Sequence, residues 1–391
     1  MKKNNQINPV KCSVSNNRVK IGIDARMYGA RQTGIGNYIK HLIEYLAKLD
    51  KENEYTIFLL KSEFEKFKFP ASNFKKQKVS AHWYSWREQF ILPFEFKKAK
   101  VDLMHFPHFN RPILYPTRNV VTIHDLTPKF FPGHKMNSPI RKAGFWLTFS
   151  QAVKKTKKII AVSEATKKDI IKYFQVAPEK ITVIYEGVDV VNPEGDIGQC
   201  RLRLKEKYNI TKPFILYVGV WRNHKNMVGL IKAFNTLLRK YQLDYQLVLT
   251  GEENLYYPEI RKTWENLGLE KNIIRPGFVS KEELTCLYNE ASLCVIPSFY
   301  EGFGLVGLEA MARGIPVASS NIAGLTEILG EAAVFFDPYS IDEMARKMTQ
   351  ILLNDGLRKK MINKGFEQIK KYSWEKMAKE TLEVYKEAII L

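Results

Sequence analysis

The sequence predicts an α/β protein in which two Rossmann-like, doubly wound domains of similar size face each other across a central cleft. Short β-branched runs alternate with amphipathic stretches along most of the 391 residues, which is typical of βαβ units with parallel sheets. The alternation pauses between Val188 and Pro213, where residues 192–198 are rich in turn formers, and then begins again. Because ligands of open α/β sheets bind beyond the carboxyl ends of the strands, two facing edges indicate a deep site between the domains.

The first series of elements predicts a domain over residues 18–192, preceded by a polar tail over residues 1–17. Its predicted helices include Asn37–Leu49 and Ser138–Lys155. Its predicted strands are Lys20–Arg26, Tyr55–Leu60, Val101–Phe106, Val120–Asp125, Lys158–Val162 and Ile181–Tyr185.

The second series predicts a domain over residues 193–372, followed by a C-terminal helix within residues 373–391. The predicted strands are Phe214–Gly219, Gln246–Thr250, Ile273–Arg275, Leu293–Pro297, Pro316–Ser319 and Val334–Phe336. The predicted helices are Asn226–Arg239, Lys281–Asn289, Leu305–Arg313, Ile341–Leu353, Gly356–Lys371 and Trp374–Ile390.

The composition excludes a wholly disordered chain, because 45% of the residues are hydrophobic and 12% are aromatic. No run of about 18 apolar residues predicts a membrane-spanning helix, and Met1–Lys20 lacks the apolar core of a signal peptide. Cys12, Cys200, Cys286 and Cys294 form no C-x-x-C pair and no metal-binding spacing. Free thiols and a cytoplasmic location are therefore expected.

The net charge of +20 is concentrated in the N-terminal half. Residues 1–200 carry 34 Lys+Arg and 18 Asp+Glu (net +16), whereas the remainder carries 27 and 23 (net +4). A basic half of this kind is typical of proteins that bind nucleic acid, anionic membranes or polyanionic substrates. No nucleic-acid-binding motif is present, but a non-catalytic polyanion- or nucleic-acid-binding protein is an alternative that charge leaves open.

The strongest local motif extends from Ser298 to Pro316 and includes six candidate site residues: Glu301, Gly302, Phe303, Gly304, Leu305 and Glu309. A strand, a glycine-bearing loop and a helix follow one another there, and the N–H groups that begin such a helix suit a phosphate or a sugar oxygen. The two glutamates lie about 12 Å apart if the rise is helical throughout. That spacing favours hydroxyls at two ends of an extended ligand over an acid/base pair. A solvated and a capping glutamate are the structural alternative.

The second motif, Gly219–Asn226, also follows a predicted strand and precedes a helix. Arg222 and Lys225 lie at the start of that helix, where the helix dipole is unfavourable for cations. A bound anion would remove the conflict, and a guanidinium together with an ammonium suits a diphosphate. Two exposed surface cations are the alternative.

Further candidates follow other predicted strands. Gly34 and Gly36 open the first helix in the manner of a phosphate-approach loop, although a tight turn explains them equally well. His124 ends another strand, where a neutral imidazole can donate to a substrate hydroxyl or take a proton. His105 and His108 lack an evident third metal ligand, and the chain contains no D-x-D sequence, so no metal is predicted.

Together these segments resemble the family 4 glycosyltransferases, whose fold is GT-B. The most specific part is the E-x7-E element from Glu301 to Glu309, with G-F-G-L inside it. The resemblance covers nearly the whole chain and is closest to the bacterial mannosyltransferase-like branch that builds surface polysaccharides. The other matching segments are Ile21–Arg26, Thr33–Gly36, Val121–Leu126, Ala161–Glu164, Val183–Asp189, His224–Asn226 and Pro276–Val279.

The resemblance implies a retaining transfer of a hexose, mannose from GDP-mannose, to a glycan or polyprenol-linked acceptor. It implies that Arg222 and Lys225 bind the donor diphosphate and stabilise its charge as the glycosidic bond breaks. Glu301 is expected to hold sugar hydroxyls, and His124 is expected to face the transferred sugar. A donor phosphate oxygen takes the acceptor proton in this scheme, so the nucleotide sugar is a co-substrate and neither an enzymic base nor a cofactor is required.

The remaining roles that the resemblance implies concern donor binding. Glu309 is expected to hold the ribose and Val279 to lie near the base. The backbone N–H groups of Phe303–Leu305 are expected beside the sugar, with Gly302 also among the donor-binding residues, and Gly34 and Gly36 are expected to line the acceptor side of the diphosphate. Two positions depart from the family pattern: Val220 stands where many members carry an arginine, and Val306-Gly307 replaces a usual proline and predicts a looser or shifted helix start.

The resemblance also implies that the C-terminal helix crosses back to the first domain and that the acceptor lies at the cytoplasmic membrane. Arg87–Lys100 combines aromatic residues with lysines, and Lys154–Lys158 is a compact basic run. Since anionic lipid attracts such clusters, peripheral attachment to the inner face of the membrane is predicted, with a merely solvated lysine-rich surface as the alternative. No nucleic acid partner is expected, and a GT-B epimerase is a further alternative.

Overall fold

A computed structural model describes residues 18–29, 33–133, 138–190 and 197–391. The strands within these residues are β1 Lys20–Asp24, β2 Glu54–Leu60, β3 Phe74–Val79, β4 Leu103–Phe106, β5 Asn119–Ile123, β6 Lys158–Ala161, β7 Ile181–Val183, β8 Phe214–Tyr217, β9 Gln246–Thr250, β10 Ile273–Gly277, β11 Leu293–Ile296, β12 Val317–Ser320 and β13 Ala333–Phe336. The predicted tail over residues 1–17 and the predicted boundary at residues 192 and 193 lie outside the described residues.

The helices of the first domain, with the C-terminal helix that packs on it, are α1 Thr33–Leu49, α2 Lys61–Phe64, α3 Trp86–Phe90, α4 Leu92–Lys98, α5 Thr127–Phe130, α6 Pro139–Lys155, α7 Glu164–Phe174 and α16 Trp374–Ile390. Those of the second domain are α8 Ile197–Tyr208, α9 Met227–Arg239, α10 Pro258–Asn266, α11 Lys281–Glu290, α12 Leu305–Ala312, α13 Ala323–Leu329, α14 Ile341–Leu353 and α15 Asp355–Ile369. No helix in the described part of the chain is long and apolar enough to cross a membrane.

The strands form two wholly parallel sheets with the same core order. The first has the order β3-β2-β1-β4-β5-β6-β7 and the second the order β10-β9-β8-β11-β12-β13. Central strands such as β5 are buried along their whole length, because helices cover both faces of each sheet. The sequences of these strands are therefore continuous apolar runs rather than alternating ones. The two predicted doubly wound domains are confirmed.

Edge strand β3 was not among the predicted strands. Its sequence, Phe-Lys-Lys-Gln-Lys-Val, pairs with β2 through the backbone and buries only Phe74 and Val79. Lysines are a common means of protecting a sheet edge from further pairing, and here they hide the strand pattern.

The C-terminal helix α16 packs against α1 and the first sheet. Met377, Ala378 and Tyr385 are buried in the core of that domain, and the Tyr385 hydroxyl lies 2.6 Å from Nδ1 of His105. His105 also contacts the Thr122 hydroxyl at 2.8 Å through Nε2, so both of its ring nitrogens are used inside the core. The end of the chain therefore completes the core of the first domain.

The expectation of free thiols is wrong for two of the cysteines. Cys200 on α8 and Cys286 on α11 form a disulfide, because these two helices pack side by side in the second domain. Cys294 on β11 is a free thiol buried in the core. Cys12 lies outside the described residues.

Candidate active site

The second domain brings Lys225 and Glu301 together at the carboxyl ends of β8 and β11. Lys225 ends a short 3-10 turn that precedes α9, and Asn226 caps α9 with its side chain. The Lys225 ammonium donates to Glu301, whose carboxylate also accepts a hydrogen bond of 2.7 Å from the Ser298 hydroxyl. The two side chains are only 19% and 15% exposed, so the pair is largely shielded from water.

The surroundings of this pair keep Glu301 ionised. Burial works to raise its pKa, but the charge of Lys225 and the hydrogen bonds from Lys225 and Ser298 outweigh burial and lower the pKa overall. Burial, with the charges of Lys225 and Arg222, lowers the pKa of His224 to about 4 and leaves that ring neutral. The exposed guanidinium of Arg222 has no hydrogen-bond or ion-pair partner among the described residues.

The glycine-bearing loop after β11 lies directly against the first domain. A Cβ at Gly302 would overlap the carbonyl oxygen of His124, so only glycine allows this approach. Gly304 has φ 88° and is the N-cap of α12, which begins at Leu305 as predicted. Phe303 is buried in the core of the second domain. The backbone of this loop is thus held between the two domains.

The glycine at position 307 does not move the start of α12, contrary to the expectation of a shifted start. A Cβ there would press on Leu329 and Ile296, so the missing side chain lets α12 pack closely on α13 and β11. The packing gain explains why a poor helix former occupies the first turn.

Glu309 lies further along α12 in a separate environment. Its Oε2 accepts a hydrogen bond of 2.9 Å from the Tyr288 hydroxyl, and Arg313 stacks over the Tyr288 ring with its guanidinium carbon 4.8 Å from the centroid. Burial raises the pKa of Glu309, with Tyr288 and Arg313 opposing that rise. Glu309 and Glu301 thus have different partners.

His124 lies across the cleft in the loop after β5, with both ring nitrogens occupied. Nδ1 lies 2.8 Å from the Glu186 carboxylate and Nε2 lies 2.9 Å from the carbonyl oxygen of Pro107. Because the Pro107 carbonyl and an ionised carboxylate only accept, the two contacts favour a proton on each ring nitrogen, which is the imidazolium form. Burial opposes this charge, but Glu186 outweighs burial and raises the pKa. The environment of His124 therefore favours the charged ring over the neutral imidazole considered from the sequence.

Three hydrogen-bonded contacts tie the second domain to α7 of the first domain and to Ser163, the N-cap of α7. The Ser163 hydroxyl donates to the carbonyl of Gly302 at 2.6 Å, and the Tyr300 hydroxyl donates to Asp169 at 2.6 Å. The carboxylate of Glu327 accepts from two backbone N–H groups in the first turn of α7, at 2.7 and 2.8 Å. Sequence reasoning missed these residues, because no local pattern marks a contact between domains.

The remaining predicted site residues lie apart from these contacts. Gly34 and Gly36 are in the first turn of α1, Gly34 exposed and Gly36 buried. Gln32 of the same motif lies outside the described residues. Val279 follows β10 and packs its side chain on the core of the second domain. Their roles toward a donor stay predictions.

The arrangement as a whole suits an anionic ligand with hydroxyl groups. Arg222 and Lys225 supply positive charge at one end of the site, two glutamates supply acceptors, and the start of α12 supplies N–H groups. Among the described residues no group of three or more His, Cys, Asp or Glu side chains could hold a metal ion.

Family models identify the class of protein. The glycosyltransferase family 4 model matches residues 32–192, and the model of the glycosyl transferases group 1 matches residues 201–368. Together the two matches extend over both domains, and the chain belongs to glycosyltransferase family 4. It is therefore a glycosyltransferase, which decides against the non-catalytic alternative.

Individual relatives agree with this class. The chain is 27% identical over 379 residues to O-antigen chain mannosyltransferase B of Escherichia coli. This match covers 90% of this chain and 96% of that protein. It is 30% identical over 256 residues to the O-antigen chain mannosyltransferase RfbU of Salmonella typhimurium, with 66% of each chain covered. Sucrose-phosphate synthase from Thermosynechococcus elongatus superimposes with a TM-score of 0.75 at 19% identity, over 94% of this chain and 98% of that one, which supports the GT-B fold.

Proposed function

We propose that the protein is a retaining, metal-independent hexosyltransferase that moves mannose from GDP-mannose to a glycan or lipid-linked acceptor in surface polysaccharide synthesis. The observation that carries the proposal is the partly buried Lys225–Glu301 pair beside Arg222, whose guanidinium has no partner among the described residues, at the edge that faces the first domain. The choice of mannose is supported by the names of the two mannosyltransferases to which the chain is similar.

In the proposed reaction Arg222 and Lys225 bind the diphosphate and stabilise the negative charge that remains on it as the glycosidic bond breaks. These cations act in a partly shielded site, where a fixed charge stabilises the developing negative charge more strongly than it would in water. Glu301 is ionised, so it accepts hydrogen bonds from hydroxyls of the transferred sugar. Glu309 does the same for the ribose. The acceptor attacks on the face that the diphosphate leaves, and a diphosphate oxygen takes its proton.

His124 contributes a positive charge rather than a proton-accepting nitrogen in this proposal. Its ring is fixed by Glu186 and Pro107, and its backbone carbonyl meets Gly302. A fixed imidazolium beside the cleft favours negative charge on the departing diphosphate.

The test is thermal stabilisation by GDP-, UDP-, ADP- and dTDP-sugars in the presence of EDTA. A donor at 100 times its dissociation constant adds about 2.7 kcal/mol of stability. We expect GDP-mannose to give the largest shift and the shift to be lost in Glu309→Ala and Lys225→Ala. A shift that appears only when a divalent metal is added overturns the metal-independent mechanism, and a larger shift with another nucleotide sugar overturns the choice of donor.

The anomeric configuration of the product decides between retention and inversion. With a donor whose sugar is α-linked, proton NMR of the product is expected to show an α-linkage. A β-linkage contradicts the retaining mechanism. Release of free or epimerised sugar as the main product, without transfer, favours the epimerase alternative.

We also propose that the α3–α4 segment attaches the protein to anionic lipid at the membrane surface. Trp86, Phe90 and Phe94 are 82%, 60% and 69% exposed and recur every four residues, with Lys97 and Lys98 exposed beside them. Aromatic side chains insert at the lipid interface, and each nearby cation adds about 1 kcal/mol of attraction to anionic lipid.

The second predicted basic cluster, Lys154–Lys158, uses two of its lysines in contacts inside the protein. Lys157 donates to the carbonyl of Leu391, and Lys158 pairs with Glu387 at 2.7 Å, so both bind the end of α16. The α3–α4 segment is the better candidate for the membrane-facing surface.

Vesicle co-sedimentation tests this attachment. Phosphatidylglycerol-containing vesicles are expected to bind the protein, and phosphatidylcholine vesicles are not. The double variant Trp86→Ser/Phe94→Ser should lose binding, whereas Leu114→Ser, which alters another exposed apolar residue of the same domain, should keep it. Equal binding by both variants contradicts the proposed surface.

A further inference from the structure

The two strands that hold His124 and its acceptor Pro107 are linked by side chains inside the first domain. His105 on β4 is two residues before Pro107, whose carbonyl accepts from His124. Thr122 on β5 is two residues before His124 itself, and its hydroxyl lies 2.8 Å from Nε2 of His105. Residues two apart along a strand face the same side of a sheet. The His105–Thr122 contact therefore supports the strand ends on the side where the His124 ring lies.

Two helices extend this contact into a network of four buried side chains. The Tyr385 hydroxyl of α16 lies 2.6 Å from Nδ1 of His105. At the other end, the Tyr38 hydroxyl of α1 lies 3.2 Å from the Thr122 hydroxyl. The members of this polar network, each at most 1% exposed, are Tyr385, His105, Thr122 and Tyr38. A buried polar group that loses its partner has no water to replace it, so each member depends on the next.

The charge state of His105 makes the network directional. Burial, together with the charge of His124, lowers the pKa of His105 to about 3, so this ring is neutral at pH 7. A neutral imidazole has one donor nitrogen and one acceptor nitrogen, so its two hydrogen bonds run in the same direction. Removing the Tyr385 hydroxyl leaves Nδ1 of His105 unpaired and, through the shared ring, weakens the contact of Nε2 with Thr122.

The far end of the network contacts His124 itself. The ring of Tyr38 packs against the His124 ring at a centroid distance of 4.9 Å, with the two planes at 86°. Burial raises the pKa of Tyr38, and the charge of Glu186, the carboxylate partner of His124, adds to that rise. Because its hydroxyl is held by Thr122, the Tyr38 ring limits how far the His124 ring can tilt.

The network reaches His124 from a part of the molecule that a substrate does not touch. Tyr385 is only 1% exposed and lies on α16, in the core of the first domain. It cannot contact a sugar or a diphosphate, so any effect of its hydroxyl on transfer passes through the network. The ring that the network reaches is the one whose positive charge favours the departing diphosphate in the proposed reaction.

We propose that Tyr385 is a positioning residue for the transfer reaction and that its hydroxyl acts through the polar network on the orientation of the His124 ring. Its effect on the rate rests on the proposed function, whereas its effect on the His124 ring requires no substrate. The C-terminal helix thus takes part in the reaction as well as in the core of the first domain.

NMR of the histidine rings, in protein labelled on its histidines, tests the positioning directly. The His124 signals are identified by their loss in His124→Gln, and a pH titration then gives the pKa of this ring. Tyr385→Phe keeps the aromatic ring and should lower that pKa by about 0.5, because a less well aligned His124 binds its acceptors more weakly. The same variant should lower kcat about tenfold, less than the roughly 10²-fold cost of a 1 Å misplacement, and change the donor KM less than about twofold.

Thr122→Val breaks the network at its centre and should cause both changes. Because the two substitutions interrupt one network, the double variant should lose no more rate than either single variant. Tyr55→Phe is the matched control, since Tyr55 lies in the same core and donates to Asp50 at 2.6 Å, outside the network. It should lower the melting temperature as the other variants do and leave kcat and the His124 pKa unchanged.

The outcomes separate the positioning role from the proposed function. An unchanged His124 titration in both Tyr385→Phe and Thr122→Val overturns the role, as does an equal change in Tyr55→Phe. A lower His124 pKa without a fall in kcat overturns it as well. If the proposed function is wrong, the wild type shows no transfer and no thermal shift with any nucleotide sugar, while the His124 titration still tests the network.

Discussion

The two sheets share a strand order, yet the edges that face each other across the cleft carry opposite chemistry. The second domain presents Arg222, Lys225 and the start of α12, all favourable to anions. The first domain presents Asp24 and Glu88 around the single guanidinium of Arg26, with the neutral His108 beside them. The same fold thus carries two different edges, because the loops after the strands, rather than the strands, supply these side chains.

Removing the ammonium from the anion-binding edge is expected to have the largest effect. Lys225→Met should lower the transfer rate about 10²–10³-fold, as for loss of one preorganised charge partner in an active site. It also leaves the Glu301 carboxylate without its cation, so the pKa of Glu301 rises and the acid limb of the pH–rate profile moves to higher pH. Steady-state transfer assays over a pH series measure both effects.

Lys212→Met is the matched control for that substitution. Lys212 is paired with Asp244 on the surface of the same domain, so the same charge is removed away from the cleft. Transfer by this variant should stay within twofold of wild type. An equal loss in the two lysine variants would show that net charge, rather than the Lys225–Glu301 pair, sets the rate.

Forcing the two edges apart is expected to have the next largest effect. Gly302→Ala places a methyl group against the carbonyl oxygen of His124, which cannot yield as a flexible side chain would. A misplacement of about 1 Å at a reacting centre costs about 10²-fold in rate, and a loss of that size is expected here. Gly356→Ala on α15, where the added methyl group meets only the Asn354 Oδ1 at an ordinary contact distance of 3.4 Å, is the control. Wild-type transfer by Gly302→Ala would exclude this contact from the active arrangement.

The ion pair that fixes His124 predicts a pH-dependent contribution to stability. Glu186→Gln should lower the free energy of unfolding by about 1 kcal/mol, because the acceptor keeps its oxygen but loses its charge, and a hydrogen bond to a neutral acceptor is roughly half as strong. The folded-state pKa of His124 is raised, so the contribution is fully present below its unfolded pKa of about 6.5 and is lost as pH rises through the folded pKa.

Melting temperatures of wild type and Glu186→Gln from pH 5.5 to 9 measure that contribution. The difference between the two proteins should be largest at the acid end and shrink at the alkaline end. The buried His105, whose pKa is lowered to about 3, titrates in both proteins and cancels in the comparison. A difference that grows with pH would mean that His124 is neutral in the folded protein.

Elements with a strong local pattern were predicted well from the sequence. Strand β9 and helices α14 and α16 have the predicted bounds, since β9 is a continuous buried run and the two helices have regular apolar periodicity and serine N-caps. Lysine-rich β3 was missed for the reason given above, and α7 and α13 were not among the predicted helices. Local pattern thus predicts the apolar strands, but neither the lysine-rich edge strand nor the two helices that join the domains.

The candidate site was predictable only as separate segments. Glycine loops and charged residues at strand ends indicated Glu301, Lys225 and His124, but not their partners. Tyr288 lies 21 residues from Glu309, and Glu186 lies 62 residues from His124, so no local spacing connects them. The charge state of His124 depends on two such distant acceptors, and the Cys200–Cys286 disulfide joins residues 86 apart.

The smallest expected effect concerns Glu327, whose carboxylate links α13 of the second domain to α7 of the first domain. Glu327, on α13, accepts the first free N–H groups of α7 in the other domain, which is the position where a capping acceptor stabilises a helix by about 1 kcal/mol. Glu327→Ala should therefore weaken the contact between the domains and lower transfer about fivefold, with little change in melting temperature. Glu331→Ala removes an exposed glutamate paired with Lys364 and should leave transfer unchanged. If Glu327→Ala transfers as fast as wild type, the seating of the donor loop depends on Ser163 and Tyr300 alone, and the two edges need no support from α13.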